Sequence, residues 1–345
     1  MENVIRKSDF FTHFFNDLKS QYDIIGPTRQ GGATGTYSYA TFDKIDRAID
    51  LEIDYETVML SPRKIFFPDN EKLYRYEKDG QDVKLTDLRE VWNKKKVIIG
   101  LHACDLNALA YLDKVLIGRS FVDQHYQDRR KKSILIGLTC NVAGPRCFCS
   151  TMGTGPDIES NYDLLLTDIG SHYFVKTGTD LGEKIVSADY FMDASDQDKK
   201  LRNEKIAVVE KQILPKFAID KVTSGIANRY HDKFWEEFSS QCYTCGACNM
   251  VCPTCHCFTI NEKTTVDNSK GDRIIVWDSC HFTRFAQIAG NLNLREEKTS
   301  RFKHRFYDKF YYSKERYGMM SCVGCGRCKQ FCPSHIDVQN ALMRL

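Results

Sequence analysis

The stretch Cys242-Tyr-Thr-Cys245-Gly-Ala-Cys248-Asn-Met-Val-Cys252-Pro253 returns in spacing as Cys322-Val-Gly-Cys325-Gly-Arg-Cys328-Lys-Gln-Phe-Cys332-Pro333. Both copies read C-x2-C-x2-C-x3-C-P, a thiolate run that wraps a cubane of iron and sulfur. Two intervening residues carry successive thiolates around one corner of a small cube, and the short turn leaves backbone N–H groups aimed at the sulfurs. Gly246, Gly324 and Gly326 suit such a turn because glycine accepts backbone angles that other residues avoid. Proline after the fourth cysteine sets the exit direction and removes a donor. A pair of zinc knuckles is the competing reading. Zinc takes four ligands in a tetrahedron, usually as two separated CxxC pairs, and has no use for the x3-Cys-Pro tail.

In bacterial two-cluster ferredoxins each run gives three thiolates to one [4Fe-4S] cluster and its fourth to the other. The expected sets are Cys242, Cys245, Cys248 and Cys332 for one cluster, and Cys322, Cys325, Cys328 and Cys252 for the second. About seventy residues separate the two runs, so the expected unit is a mostly helical two-cluster ferredoxin-like domain with an insertion between half-motifs.

Fifteen cysteines in 345 residues bear on compartment. The stretch from Met1 to Ser8 is polar, without the apolar core of a signal peptide. Phe10, Phe11, Phe14, Phe15 and Leu18 then recur at helical period, as in a core-facing helix capped by Ser8. No run approaches the length that spans a bilayer. Cysteines at cluster spacing in such a chain indicate thiolates kept reduced, and a cytoplasmic protein, from an anaerobe, is expected. A net charge of +3 gives no argument for nucleic acid.

Bound clusters alter that charge, each site adding roughly −2 through four thiolates against an oxidised cubane. Between Arg295 and Lys329 the chain carries ten Lys or Arg against four Asp or Glu. Most of these read as a solvated helix face, while Arg327 and Lys329, inside the second run, are expected to offset cluster charge. Phe302, Phe306, Tyr307, Phe310, Tyr311 and Tyr312 interleave with the basic residues. Their spacing suits a helix packed on the cluster domain better than an RNA-binding face.

The first half reads as an α/β domain. Strand-like pieces lie around Tyr22–Ile25, Lys64–Phe67 and Leu73–Tyr76. Val97–Leu101 and Ser133–Leu138 are compact apolar runs, and a helical pattern opens at Asp105 after the first of them. Asp163–Thr167 and Tyr173–Lys176 add strands. Buried runs alternating with helices imply a largely parallel sheet. The expected division is 1–195 for the α/β domain, 196–237 for a helical linker, and 238–345 for the cluster domain.

Cys104 follows the first apolar run and Cys140 the second, at the strand ends where ligands gather in open α/β sheets. The next loop brings Cys147 and Cys149. Four thiols in one crevice suit a third [4Fe-4S] cluster, with Asp105 either an oxygen ligand or a helix cap; the plainer reading is buried core cysteine. Cys255, Cys257 and Cys280, with His256 beside them, are left as redox-active thiols, ligands to a further centre, or packing.

These motifs together resemble the β subunits of cytoplasmic nickel–iron hydrogenases of the sulfhydrogenase type. The resemblance rests on the stretches Gly100–Leu109, Leu112–Leu116, Tyr126–Arg130, Cys147-Phe-Cys149, Cys252–Cys257, Trp277–Cys280, Ala289-Gly290 and Cys322–Cys328, and it covers nearly the whole chain. The A subunit of anaerobic sulfite reductase is similar in architecture. The resemblance implies a non-catalytic electron-transfer subunit between a flavin- and NAD(P)H-binding, diaphorase-like subunit and a catalytic subunit of hydrogenase or sulfite reductase. One departure is visible: where family members often read Ala-Gly-Gly-His-Asn-Phe-Arg, this chain reads Ala289-Gly-Asn-Leu-Asn-Leu-Arg295, without the histidine.

A relay role agrees with the motifs that the chain lacks. No G-x-G-x-x-G follows a strand, and Gly31, Gly32 and Gly35 sit outside that context. Neither a P-loop nor H-E-x-x-H occurs. Two rival classes stand beside the relay: a self-contained thiol or disulfide reductase using Cys255, Cys257 or Cys280, and a purely structural iron–sulfur protein.

Overall fold

The computed structural model describes residues 1–31, 38–88 and 90–345, so Gly32 and Gly35 lie outside the described residues. Its strands are β1 (Glu2–Arg6), β2 (Asp23–Gly31), β3 (Ser38–Lys44), β4 (Asn70–Asp79), β5 (Asp82–Asp87) and β6 (Lys96–His102). They continue as β7 (Ser133–Leu138), β8 (Leu164–Asp168), β9 (His172–Thr177), β10 (Phe191–Asp193), β11 (Phe258–Thr264) and β12 (Lys270–Trp277). Among the described residues eight strands form one sheet in the order β10-β1-β9-β8-β7-β6-β2-β3. Only its centre is parallel: β2 with β6, β6 with β7, and β7 with β8. Both margins are antiparallel, which corrects the expectation of a largely parallel sheet. Just three residues, Ile169 to Ser171, join β8 to β9, too few for the crossover that parallel neighbours need.

The two apolar runs at the centre are sealed on both faces. Val97 and Ile99 of β6 join Ile134 and Ile136 of β7 and the aromatic helix residues Phe10 and Phe14 on one side. Ile98 and Leu135 join Leu106, Leu109 and Leu112 on the other. Such two-sided burial is why these strands read as continuous apolar runs instead of alternating ones. The β6–β7 register shifts between Ile99 and Leu101, at Gly100. A shift of one residue swaps faces, so Leu101 joins the same core as Ile98. The helix Ala103–Leu116 follows at once.

Several local expectations need correction. The polar start of the chain is strand β1, seated between β9 and β10. The phenylalanine helix begins at Lys7, and Arg6 occupies its N-cap without a side-chain hydrogen bond, so Ser8 does not cap it. A π-helical turn at Phe10–Phe14 lets consecutive Phe14 and Phe15 both reach the core. Lys64–Phe67 is not a strand: Arg63–Phe66 is one helical turn entered through Pro62. Four apolar and basic residues are too short a window for periodicity to separate the two.

The segment between the sheet and the cysteine runs carries the helices Asp196–Gln212 and Ile219–Ala227. The first opens on a capping box between Ser195 and Asp198 and is held by Arg202 Nη2 on Asp157 Oδ2 at 2.6 Å. Val222 and Ile226 of the second enter a core with Trp235, Phe302, Phe306 and Phe310. That core is the body of the C-terminal part, whose spine runs through Lys298–Tyr307, Asp308–Tyr312 and Ser313–Tyr317. The C-terminal part is not helical throughout. The insertion between the cysteine runs contains the hairpin β11–β12, and β12 pairs with β4 to make a second sheet in the order β11-β12-β4-β5. Trp277 donates its indole N–H to Phe67 O at 3.1 Å, and the Arg63 guanidinium lies 3.5 Å from the Trp277 ring centre. The two halves are thus packed as one body. Among the described residues no helix is long and apolar enough to cross a membrane.

Candidate metal centres

Cys242, Cys245, Cys248 and Cys332 line one cavity of about 490 Å³, partly open to solvent. The turn geometry follows the expectation for the run: Gly246 has φ 75° and opens a short helix at Ala247. Backbone N–H groups of Thr244 and Ile336 donate to the sulfurs of Cys242 and Cys332 at 3.3 and 3.4 Å. Cys245 is exposed, so this site lies near the surface. His281 also lines the cavity, and both its ring nitrogens are buried without a partner.

Cys252, Cys322, Cys325 and Cys328 line a second cavity, of about 440 Å³. Each cysteine run therefore sends its last member into the other run's cavity. Gly324 and Gly326 have φ 61° and 73°. A Cβ at Gly324 would lie 2.7 Å from the backbone of Cys149, and one at Gly326 would lie 2.4 Å from Arg146 O. Glycine is needed there both for backbone angle and for close approach.

That approach brings in the third group. Cys104, Cys140, Cys147 and Cys149 line a cavity of about 410 Å³ at the carboxyl ends of β6 and β7. Cys104 sits in the first turn of helix Ala103–Leu116, and Cys149 opens the short helix Cys149–Met152. Asp105 does not line this cavity. Its two oxygens accept from Arg327, so it is held as an ion-pair partner instead of a ligand or cap.

The three cavities form a row. Cys325 lines the second and third, and Cys328 lines the first and second. The Cys147 thiol also reaches Cys325 O at 3.7 Å. The four-cysteine set of Cys252, Cys322, Cys325 and Cys328 is therefore central.

Charge is arranged differently from the sequence reading. Arg327 is paired with Asp105 and Lys329 with Asp337, so neither stands as a spare cation. Arg305 and Lys309 take that place. Both are buried, both line the central cavity, and among the described residues neither forms an ion pair with a carboxylate. Burial pushes the Arg305 guanidinium down, but nearby thiolates of Cys248, Cys255 and Cys328 carry it well above its ordinary value. Lys309 follows the same logic beside Cys252 and Cys255. A sequence signal for these cations existed: Arg301, Arg305 and Lys309 recur every four residues, along one face of a helix. All three are buried.

Burial is the largest influence on most thiols of the three sets, Cys252 excepted. It pushes Cys149, Cys248 and Cys322 up to about 12 each, so proton loss must accompany metal binding. Among the described residues no three His, Cys, Asp or Glu side chains gather closely enough to hold a single ion. Thiols spread in fours around voids, with backbone N–H donors and buried cations at hand, fit a cubane better than a zinc ion.

Cys255, Cys257 and Cys280 belong to none of these sets and line a fourth and more open cavity beside the central one. The neighbouring Cys257 thiol, against burial, lowers Cys280 to about 7.

Four-thiol sets in a row inside a packed α/β body define an iron–sulfur electron-transfer protein. Residues 241–336 match the family described as a 4Fe-4S dicluster domain. Over 344 residues the chain is 31% identical to the sulfhydrogenase 2 subunit beta of Pyrococcus furiosus, covering 98% of this chain and 96% of that one. No solved structure matches. The chain belongs to the family of sulfhydrogenase β subunits.

Proposed function

We propose that this chain is the electron relay of a multisubunit hydrogenase and holds three [4Fe-4S] clusters in a row. The assigned ligand sets are Cys242, Cys245, Cys248 and Cys332 at one end, Cys322, Cys325, Cys328 and Cys252 at the centre, and Cys104, Cys140, Cys147 and Cys149 at the other end. The observation that carries the reading is that each set of four thiols lines its own cavity, with Cys325 and Cys328 shared between neighbours. Bound clusters supply one-electron chemistry.

The chain's own residues set the conditions for it. Arg305 and Lys309 stabilise negative charge at the centre of the row, which favours the reduced state. The N–H groups of Thr244 and Ile336 do the same at the exposed end. Phe148 and the aromatic spine keep the central cavity dry. The relative's name, a subunit of a sulfhydrogenase, supports a catalytic hydrogenase partner; in this reading that partner is of the nickel–iron type, and a flavin- and NAD(P)H-binding subunit completes the relay. With Cys245 exposed, the Cys242 end is the docking side for one of these partners.

Metal analysis of anaerobically purified chain tests the assignment. About twelve irons with matching labile sulfide are expected; about eight would remove the third site, and zinc without sulfide would remove all three.

A further inference from the structure

Cys257 and Cys280 flank the base of the hairpin β11–β12. Phe258, next to Cys257, pairs with Trp277, and Asp278 N donates to Cys257 O at 2.9 Å. The hairpin therefore brings the two cysteines together at its base, where both line one cavity and each is the largest influence on the other's proton affinity. Asn249 Nδ2 donates to the Cys280 sulfur at 3.2 Å. Thiols of the three four-cysteine sets act on one another by charge across their voids. Cys257 and Cys280 instead belong to none of those sets and meet as a pair at the hairpin base. Both are free thiols in the structure.

The pair opens on a cavity of about 740 Å³ that is continuous with solvent and is also lined by His256 and His304. It adjoins the central set: Arg305 Nη1 reaches Cys255 Sγ at 3.7 Å, three residues beyond Cys252. Arg305 and Lys309 line both this cavity and the central one.

We propose that Cys257 and Cys280 form a reversible dithiol–disulfide couple, reduced through the adjacent iron–sulfur set, that cleaves small disulfides entering this cavity. The proposal rests on the relay reading above. The Cys280 sulfur attacks one sulfur of the substrate, breaking its S–S bond and releasing one thiolate while a mixed disulfide forms. The Cys257 sulfur then attacks Cys280, releasing the second thiolate and leaving a Cys257–Cys280 disulfide. The two protons of the dithiol end on the two released thiols. Two electrons, delivered singly by the clusters, and two protons from solvent restore the dithiol.

The test uses full-length, cluster-loaded protein under anaerobic conditions, with 2-hydroxyethyl disulfide as probe. After one equivalent of probe, alkylation and peptide mass spectrometry should find Cys257 linked to Cys280, with two small thiols released per chain. Reductive titration of the oxidised wild type should take two electrons more than Cys257→Ser or Cys280→Ser, whose iron content and reduced-cluster spectra should match wild type. Equal electron uptake, or both cysteines recovered as independent thiols in wild type, would overturn the couple while leaving the relay intact. Iron loss in either serine variant would overturn it by making these residues cluster ligands. A wild type whose clusters cannot be reduced would remove the relay beneath it, even where the linked peptide forms.

Discussion

Arg327 donates two parallel hydrogen bonds to Asp105, Nη1 to Oδ1 and Nη2 to Oδ2, each 2.9 Å long, and both side chains are sealed from solvent. A third bond runs from Arg327 Nε to Val58 O at 2.8 Å. One partner sits inside the second cysteine run and the other on the helix that carries Cys104. The pair thus fixes the central thiol set against the N-terminal one, with the fork geometry that arginine and carboxylate share. Relay distances depend on that alignment.

Breaking the pair from one side leaves a buried charge alone. Asp105→Asn or Arg327→Met is expected to cost about 3–5 kcal/mol, and the double variant Asp105→Leu with Arg327→Met considerably less. Urea unfolding of anaerobic holoprotein measures this. A double variant as unstable as the sum of the singles would show that the fork matters for more than charge balance.

Removing a central cation should lower cluster potential. Arg305→Gln and Lys309→Met are each expected to shift the central midpoint negative by on the order of 50–100 mV, the one-electron equivalent of roughly 1–2 kcal/mol. Redox titration followed by electron paramagnetic resonance reads the shift. Arg305 also lines the Cys242 cavity, so its substitution should move two midpoints. Lys309 should move chiefly one.

Ligand substitutions should sort by cavity and not by position along the chain. Cys252→Ala should deplete the cluster held mainly by the second run, and Cys332→Ala the one held mainly by the first. Cys140→Ala should remove about four irons while sparing both dicluster signals. Iron analysis with spectra of the dithionite-reduced protein distinguishes the three patterns.

Acid should weaken the seam between the second sheet and the main body. Burial raises the Glu71 carboxyl, but hydrogen bonds from His125 and Arg129 outweigh it and hold Glu71 below its ordinary value. A depressed carboxyl contributes stability that is complete above the unfolded value, about 4.3, and is lost as pH falls through the folded one. The unfolding midpoint should therefore decline below about pH 4.3 in wild type. Glu71→Gln should be less stable at neutral pH, with Arg129 left buried, and flatter in acid.

Legibility followed the range of the interaction. The central strands, the helix after β6 and the two cysteine runs were readable because burial on both faces and ligand spacing are local patterns. Strand β1 was not, since its polar ends conceal a short buried middle at Asn3 to Ile5. The helical turn at Arg63 was too short for period to decide. The hairpin β11–β12 escaped because its partner, β4, lies about two hundred residues away and β11 is largely polar.

The cation pattern shows the same division. Ten basic residues around the second run were countable, but counting cannot tell which meet carboxylates. Asp105 and Asp337 claim Arg327 and Lys329, and that leaves Arg305 and Lys309 facing sulfur.

By itself the sequence determined the thiol inventory: two duplicated runs, a second constellation after two apolar strands, and the cluster chemistry that such spacings allow. Ligand spacing is a short-range property, written within a dozen residues. Only the tertiary structure decided that the three sets of four stand in a row, that Cys325 and Cys328 join them, and that Cys257 and Cys280 share one cavity. Those relations arise where distant segments pack against one another, and packing depends on shape and buried charge across the whole chain.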